Sequence, residues 1–120
     1  MAAPSRVNIS GTDDETFEWS QEWEQEDGTA FPFEDYTIEY VVAYDKGGEV
    51  LSLTSDDDAG VTVAEPNVVF GGVSYTLEEG HYRHGCRIVH NTTGKMTQVF
   101  DGEVVITDGG FSSRALSGEY

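Results

Sequence analysis

The stretch His81–Ile106, HYRHGCRIVHNTTGKMTQVFDGEVVI, decides how this chain folds. Tyr82, His84, Cys86, Ile88 and His90 share one parity, with Arg83, Arg87 and Val89 on the other. Alternate side chains of an extended strand point to opposite faces, so Tyr82, Cys86 and Ile88 are expected to face a core. Asn91-Thr92-Thr93-Gly94 then reverses the chain. Asn at the first turn position and Gly at the fourth suit a type I turn closed by a left-handed glycine. The return strand carries Val104 and Ile106 on one parity. Its alternation is lost after Val99 and Phe100, which predicts a kink or bulge near Gly102. A long hairpin with one apolar face needs a second sheet to cover it.

The remaining chain supplies candidates for that cover. Phe17, Trp19, Gln21 and Trp23 alternate with Glu18, Ser20, Glu22 and Glu24, the clearest half-buried strand in the sequence. Gln21 interrupts the apolar side and is expected at its rim. Glu26-Asp27-Gly28-Thr29 reads as a turn and Phe31-Pro32-Phe33 as an extended bend. Tyr36, Ile38, Tyr40 and Val42 form the next alternating set, ended by Asp45-Lys46-Gly47-Gly48. Leu51 and Leu53, Val61 and Val63, and Val68 to Phe70 mark three further short strands. Tyr75 and Leu77 precede the closing hairpin, and Leu77–His81 has room for one helical turn at most. About seven short strands with turn signals between them and no convincing helix indicate an all-β, antiparallel β-sandwich. Residues 1–14, with Val7 and Ile9 alternating with polar neighbours, read as an N-terminal arm or edge strand. Residues 15–108 form the sandwich, and 109–120 a tail with only Phe111, Leu116 and Tyr120 as apolar points.

Charge narrows the partners. Twenty-three acids against six bases give a net −17, so nucleic acid and anionic membranes are not expected partners. Solubility and self-repulsion account for most of the acidity. The sharper readings are an acidic inhibitor that imitates DNA and a cation-binding surface. One cysteine excludes an internal disulfide, and a reducing cytoplasm is a sufficient environment. The start, MAAPSRVNIS, lacks a basic region followed by an apolar run, so no signal peptide is expected. No apolar run approaches the length that spans a bilayer.

Reactive constellations are sparse. His84 and Cys86 are two apart and share a strand face, but His90 lies about 13–14 Å beyond Cys86 at the usual strand rise. A tetrahedral zinc site does not close locally on such a set. Asp56-Asp57-Asp58 and Asp13-Asp14-Glu15 are oxygen-rich but lack the ligand spacing of an EF-hand. Two such loops meeting at one end of a sandwich would hold calcium. No metal is expected; His84, Cys86, Asp56 and Asp58 are the residues nearest to a ligand set. No nucleophile elbow, paired carboxylate or phosphate loop stands out, so neither enzymatic activity nor a cofactor is expected. Trp19 and Trp23 share parity with Phe17, which favours core packing over a sugar-stacking platform.

In order and spacing, the motifs resemble a family of small Ig-like β-sandwich domains in tailed-phage tail and baseplate proteins, of the upper-baseplate and receptor-binding-protein adaptor type. Asp14-Glu15-Thr16-Phe17-Glu18-Trp19 with Trp23 resembles that family's opening strand. Asp27-Gly28-Thr29-Ala30-Phe31 resembles its turn, with a proline usual nearer Ala30. Asp35-Tyr36-Thr37-Ile38-Glu39-Tyr40 resembles its GYT strand, with Asp35 for the glycine. Glu79-Gly80-His81-Tyr82 is similar to its entry to the last hairpin, and Phe100–Ile106 to its closing strand. Gln21 and His84 depart from positions that the family fills with apolar residues. The resemblance implies a non-enzymatic virion component, assembled in the host cytoplasm and present in several copies in a symmetric assembly. Its partners would be tail, baseplate or fibre proteins. The terminal segments, with Val7, Ile9, Phe111, Leu116 and Tyr120, are the candidate assembly contacts. The alternatives are a carbohydrate-binding or calcium-dependent adhesion module and a head-decoration protein.

Overall fold

The computed structural model describes residues 5–25, 27–56 and 59–110. Nine strands follow one another: β1 (Ser5–Arg6), β2 (Ile9–Thr12), β3 (Glu18–Glu22), β4 (Tyr36–Tyr44), β5 (Glu49–Thr54), β6 (Val61–Ala64), β7 (Asn67–Gly71), β8 (Gly80–His90) and β9 (Met96–Thr107). A 3-10 turn, Phe33–Asp35, leads into β4. Two sheets result. The larger runs β1-β9-β8-β4-β5, with β2 also on β9; the smaller runs β3-β7-β6. All pairings are antiparallel except those of β1 and β2, which run parallel to β9.

The two-residue alternation produces this arrangement directly. Along β8, Tyr82, His84, Cys86 and Ile88 are buried while His81, Arg83 and Arg87 are exposed. Along β4, Ile38, Tyr40 and Val42 are inward. From the smaller sheet come Val61, Val68 and Phe70, each fully buried. Phe70 touches rings on both sheets, with centroids 4.7 Å from Trp19, 4.8 Å from Tyr40 and 5.7 Å from Phe100. Burying such side chains contributes about 1.5–3 kcal/mol each, and this common core is the main source of stability.

Two expectations need correction. The described residues form nine strands, because the N-terminal segment contributes two short ones. The bulge in β9 is at Val99, not near Gly102: Cys86 pairs with Phe100 and Arg87 with Gln98, leaving Val99 extra. Gly102 stays in register opposite His84 and continues the buried parity of Phe100, Val104 and Ile106. Of the two readings of the N-terminal segment, residues 5–12 take the edge-strand one, with Ile9 opposite Val104 and Thr12 opposite Thr107. Val7 and Ile9 are half-buried against the core.

The hairpin closes as its sequence indicates. Gly94 has φ +75°, and its N–H donates to the His90 carbonyl at 2.8 Å. The His90 N–H donates to the Lys95 carbonyl at 2.9 Å, so residues 91–94 form the loop.

Candidate functional site

Three places on the molecule combine polar chemistry with defined geometry: a buried hydrogen-bonded chain, a cleft beside the last hairpin, and a carboxylate group at the opposite end of the large sheet.

The buried chain begins at Trp19, whose indole N–H donates to the Tyr40 hydroxyl at 3.3 Å. Tyr40 Oη lies 2.7 Å from His84 Nδ1, and His84 Nε2 lies 2.6 Å from the Val7 carbonyl. A carbonyl only accepts, so Nε2 carries the imidazole hydrogen and Nδ1 receives the Tyr40 hydroxyl proton. Every polar atom of the chain is thereby satisfied. It links the smaller sheet, two strands of the larger one and the N-terminal segment. Gly102 makes room for it: a β-carbon there would overlap the Val7 carbonyl oxygen. Burial lowers the His84 pKa against the opposing influence of the Val7 carbonyl and Asp101, and raises that of Tyr40. Both groups are uncharged at neutral pH, as a low-dielectric interior favours.

Cys86 is two residues along the same face, and burial pushes its thiol far up. A thiol in that state is inert packing. His84 and Cys86 share a face as expected, but both imidazole nitrogens of His84 are occupied by protein groups. Trp23 is buried and Trp19 packs inside, so the tryptophans form no exposed platform. Gln21 accepts the Trp23 indole N–H at 2.8 Å, which explains a polar residue on an apolar strand face.

The cleft lies where the Glu24–Pro32 segment faces the β8–β9 hairpin. Its volume is about 460 Å³. Phe31, Pro32, Tyr36 and Ile88 form its apolar lining, while Glu24, Asp27 and Lys95 bring charge. The Phe31 and Tyr36 rings are 5.4 Å apart, and Tyr36 meets His90 edge-on at 5.1 Å. His90 Nδ1 accepts the backbone N–H groups of Thr92 and Thr93, both at 3.2 Å. The hydroxyl and then the amide of Thr29 donate to Asp27, holding its carboxyl below the usual carboxylate range. This cleft was not legible as a site in the sequence, because its lining comes from two stretches far apart in the chain, one ending at Tyr36 and the other beginning at Ile88. The nearest signal is the polar-aromatic run Glu24–Tyr36, which reads as turn and bend chemistry.

The carboxylates of Asp13, Asp14 and Asp108 offer oxygens within 4.8 Å of one another. Asp13 also accepts the Gly109 N–H at 2.8 Å, and Asp108 the Gly110 N–H at 2.8 Å. The pairing of Thr12 with Thr107 brings these loops together. The register keeps the Asp13 and Asp56 loops apart. Strand β5 delivers Thr54 opposite Glu39, toward the hairpin turn, whereas β2 ends beside Thr107 at the other end of the sheet. Asp56 is exposed; Asp57, Asp58, Phe111, Leu116 and Tyr120 lie outside the described residues.

No protein-family model matches this sequence, and no curated protein is significantly similar to it.

Proposed function

We propose that this chain is a virion structural protein, a small Ig-like component of a tail, baseplate or fibre attachment that acts by protein–protein assembly. The observation that carries the reading is the ordered set of motifs from Glu15 to Thr107, together with an interior whose polar groups are spent on holding the fold. Among the described residues, no buried side-chain nitrogen or oxygen lacks a partner. The polar groups of that interior are thus spent on holding the sheets together.

Strand order supports the Ig-like part of the proposal. In such domains strands B, E and D share one sheet, and C, F and G the other, with C′ beside C in variable-type domains. The order β3-β7-β6 corresponds to B-E-D, and β9-β8-β4-β5 to G-F-C-C′. Tyr82, near the start of β8, donates its hydroxyl to the Glu78 carbonyl at 2.6 Å, the tie of a tyrosine corner. The residue two further on, a cysteine in antibody domains, is His84 here. Trp19 and Tyr40 likewise sit on the strands that carry the partner cysteine and the buried tryptophan. A hydrogen-bonded chain thus replaces the disulfide pin between the sheets.

An antibody raised against the chain, applied to purified particles from a producing culture, tests the role. Labelling of tails or tail tips is expected. Labelling of capsids would move the protein to the head, and particles lacking the chain altogether would remove the assembly role.

The cleft favours one second reading, a carbohydrate-binding module. Its apolar floor with polar groups at the rim is how sugar rings are gripped. A glycan array should then give hits that Tyr36→Ala abolishes; an array without signal above background rejects this reading.

A further inference from the structure

The cleft beside the last hairpin has two unlike walls. The first is a tight turn. Glu24 and Ala30 form an antiparallel bridge. The Gln25 backbone N–H donates to the Thr29 carbonyl at 2.9 Å, and its side-chain amide to the Ala30 carbonyl at 3.1 Å. This turn holds Glu24 and Asp27 at the cleft. Thr29 donates to Asp27 twice, both times to Oδ1, so Oδ2 is the oxygen left to meet a ligand. Carboxylates only accept hydrogen bonds. The opposite wall donates. His90 Nδ1 accepts the N–H groups of Thr92 and Thr93 and so bears no hydrogen, which places the ring hydrogen on Nε2. Lys95 brings an ammonium, and Thr93 a hydroxyl whose oxygen already accepts the Lys95 N–H at 3.3 Å. Among the described lining residues, two carboxylates stand against one ammonium, in a chain of net −17.

Resting on the carbohydrate reading of this cleft, we propose that its ligand is an amino sugar, a pyranose that carries a free amine. The cation belongs at Glu24 and Asp27, and the ring hydroxyls at Lys95, Thr93 and the His90 Nε2–H. Tyr36 and Phe31 take the apolar C–H face of the ring. The volume of about 460 Å³ falls within the roughly 300–1,000 Å³ of small-molecule sites. Charge decides against the other sugars. A uronate finds a single ammonium in the cleft, beside two carboxylates that repel it, and approaches through a negative field. A neutral sugar gains hydroxyl contacts but leaves both carboxylates without a cation. An amine answers both carboxylates, and the field of the whole molecule raises its local concentration.

Isothermal titration calorimetry with four β-1,4-linked trimers tests this: glucosamine, N-acetylglucosamine, glucose and glucuronate. At about pH 6 the amine is protonated and the uronate ionised, and the backbones are alike, so charge is the variable. The glucosamine trimer should bind at least about tenfold tighter than the glucose trimer, with no heat from glucuronate. Glu24→Gln with Asp27→Asn should remove that preference and leave glucose-trimer binding within about twofold. Asparagine keeps the Oδ1 acceptor that Thr29 uses, so the turn survives. Glu78→Gln with Glu79→Gln makes the same change of charge at the other end of β8 and should leave the preference intact. Equal losses from the two pairs would show attraction by net charge alone and overturn the proposal. A glucose, N-acetylglucosamine or glucuronate trimer that binds as tightly as the glucosamine trimer overturns it too, with the carbohydrate reading still standing. So does silence from all four, and the glycan array then decides the wider reading.

Discussion

Replacing His84 with alanine is expected to cost this fold about 2–4 kcal/mol. The imidazole makes two hydrogen bonds inside the core and is only 4 % exposed. Each is worth about 0.5–1.5 kcal/mol net, and its loss leaves the Tyr40 hydroxyl proton without a buried acceptor. The emptied ring volume adds a cavity cost. Urea denaturation read by tryptophan fluorescence measures the difference, and a loss under about 0.5 kcal/mol would show that the histidine only fills space. The same variant has a pH signature. Burial lowers the folded-state pKa of His84, so on acidification the unfolded chain takes up its proton first, starting near the unperturbed value of about 6.5. Between that value and the lower folded one, the unfolded state binds more protons and stability falls as pH falls. The contribution is complete above the unfolded pKa and has been lost once pH drops below the folded one. The stability gap between wild type and His84→Ala should therefore narrow below about pH 6.5.

Gly102→Ala is expected to release the N-terminal strands. The added carbon would overlap the Val7 carbonyl oxygen, which is backbone and cannot rotate away. To make room, β1 and β2 must lift from β9. That breaks the Val7 N–H bond to the Asp101 carbonyl (2.8 Å), the Glu103 N–H bond to Asn8 Oδ1 (3.0 Å) and the Val7–His84 contact. The cost is capped by what the detached segment contributes, about 2–3 kcal/mol. Hydrogen exchange at the Val7 amide should accelerate about 30- to 100-fold, while Tyr40 and Val42 on β4 keep their protection. Unchanged exchange at Val7 would show that the crossing over Gly102 is not tight. Combined with His84→Ala the losses should fall short of additive, because both variants break the same Val7 contact.

The elements that were legible are those whose signal is local. Tyr36–Val42, Phe17–Trp23 and Tyr82–Ile88 alternate within one strand, and the pleat turns that alternation straight into inward and outward faces. Parallel pairing has no such local mark. Nothing within Ser5–Thr12 says that it runs beside Met96–Thr107, nearly a hundred residues away. The place of the bulge was misread for a related reason. Val99 and Phe100 are both apolar, and only the partner strand decides which is the extra residue. His84 did announce itself, as a polar letter at an apolar parity. Its partners were also visible in kind, since Tyr40 and Trp19 are inward residues that carry a donor; their meeting was not, because it depends on how the sheets stack. The cleft at Tyr36 and Lys95 depends on tertiary assembly in the same way.

The parallel strands at the start of the chain also impose an order on biosynthesis. Ile9 and Thr12 find their partners only when Val104 and Thr107 have been made. At about 5–20 residues per second, the opening segment emerges from the ribosome some 5–20 s before the strand that receives it. Throughout that interval its backbone edge is open to whatever else the cell presents. Such distant pairing also slows folding after release, since the loop between the partners must close first.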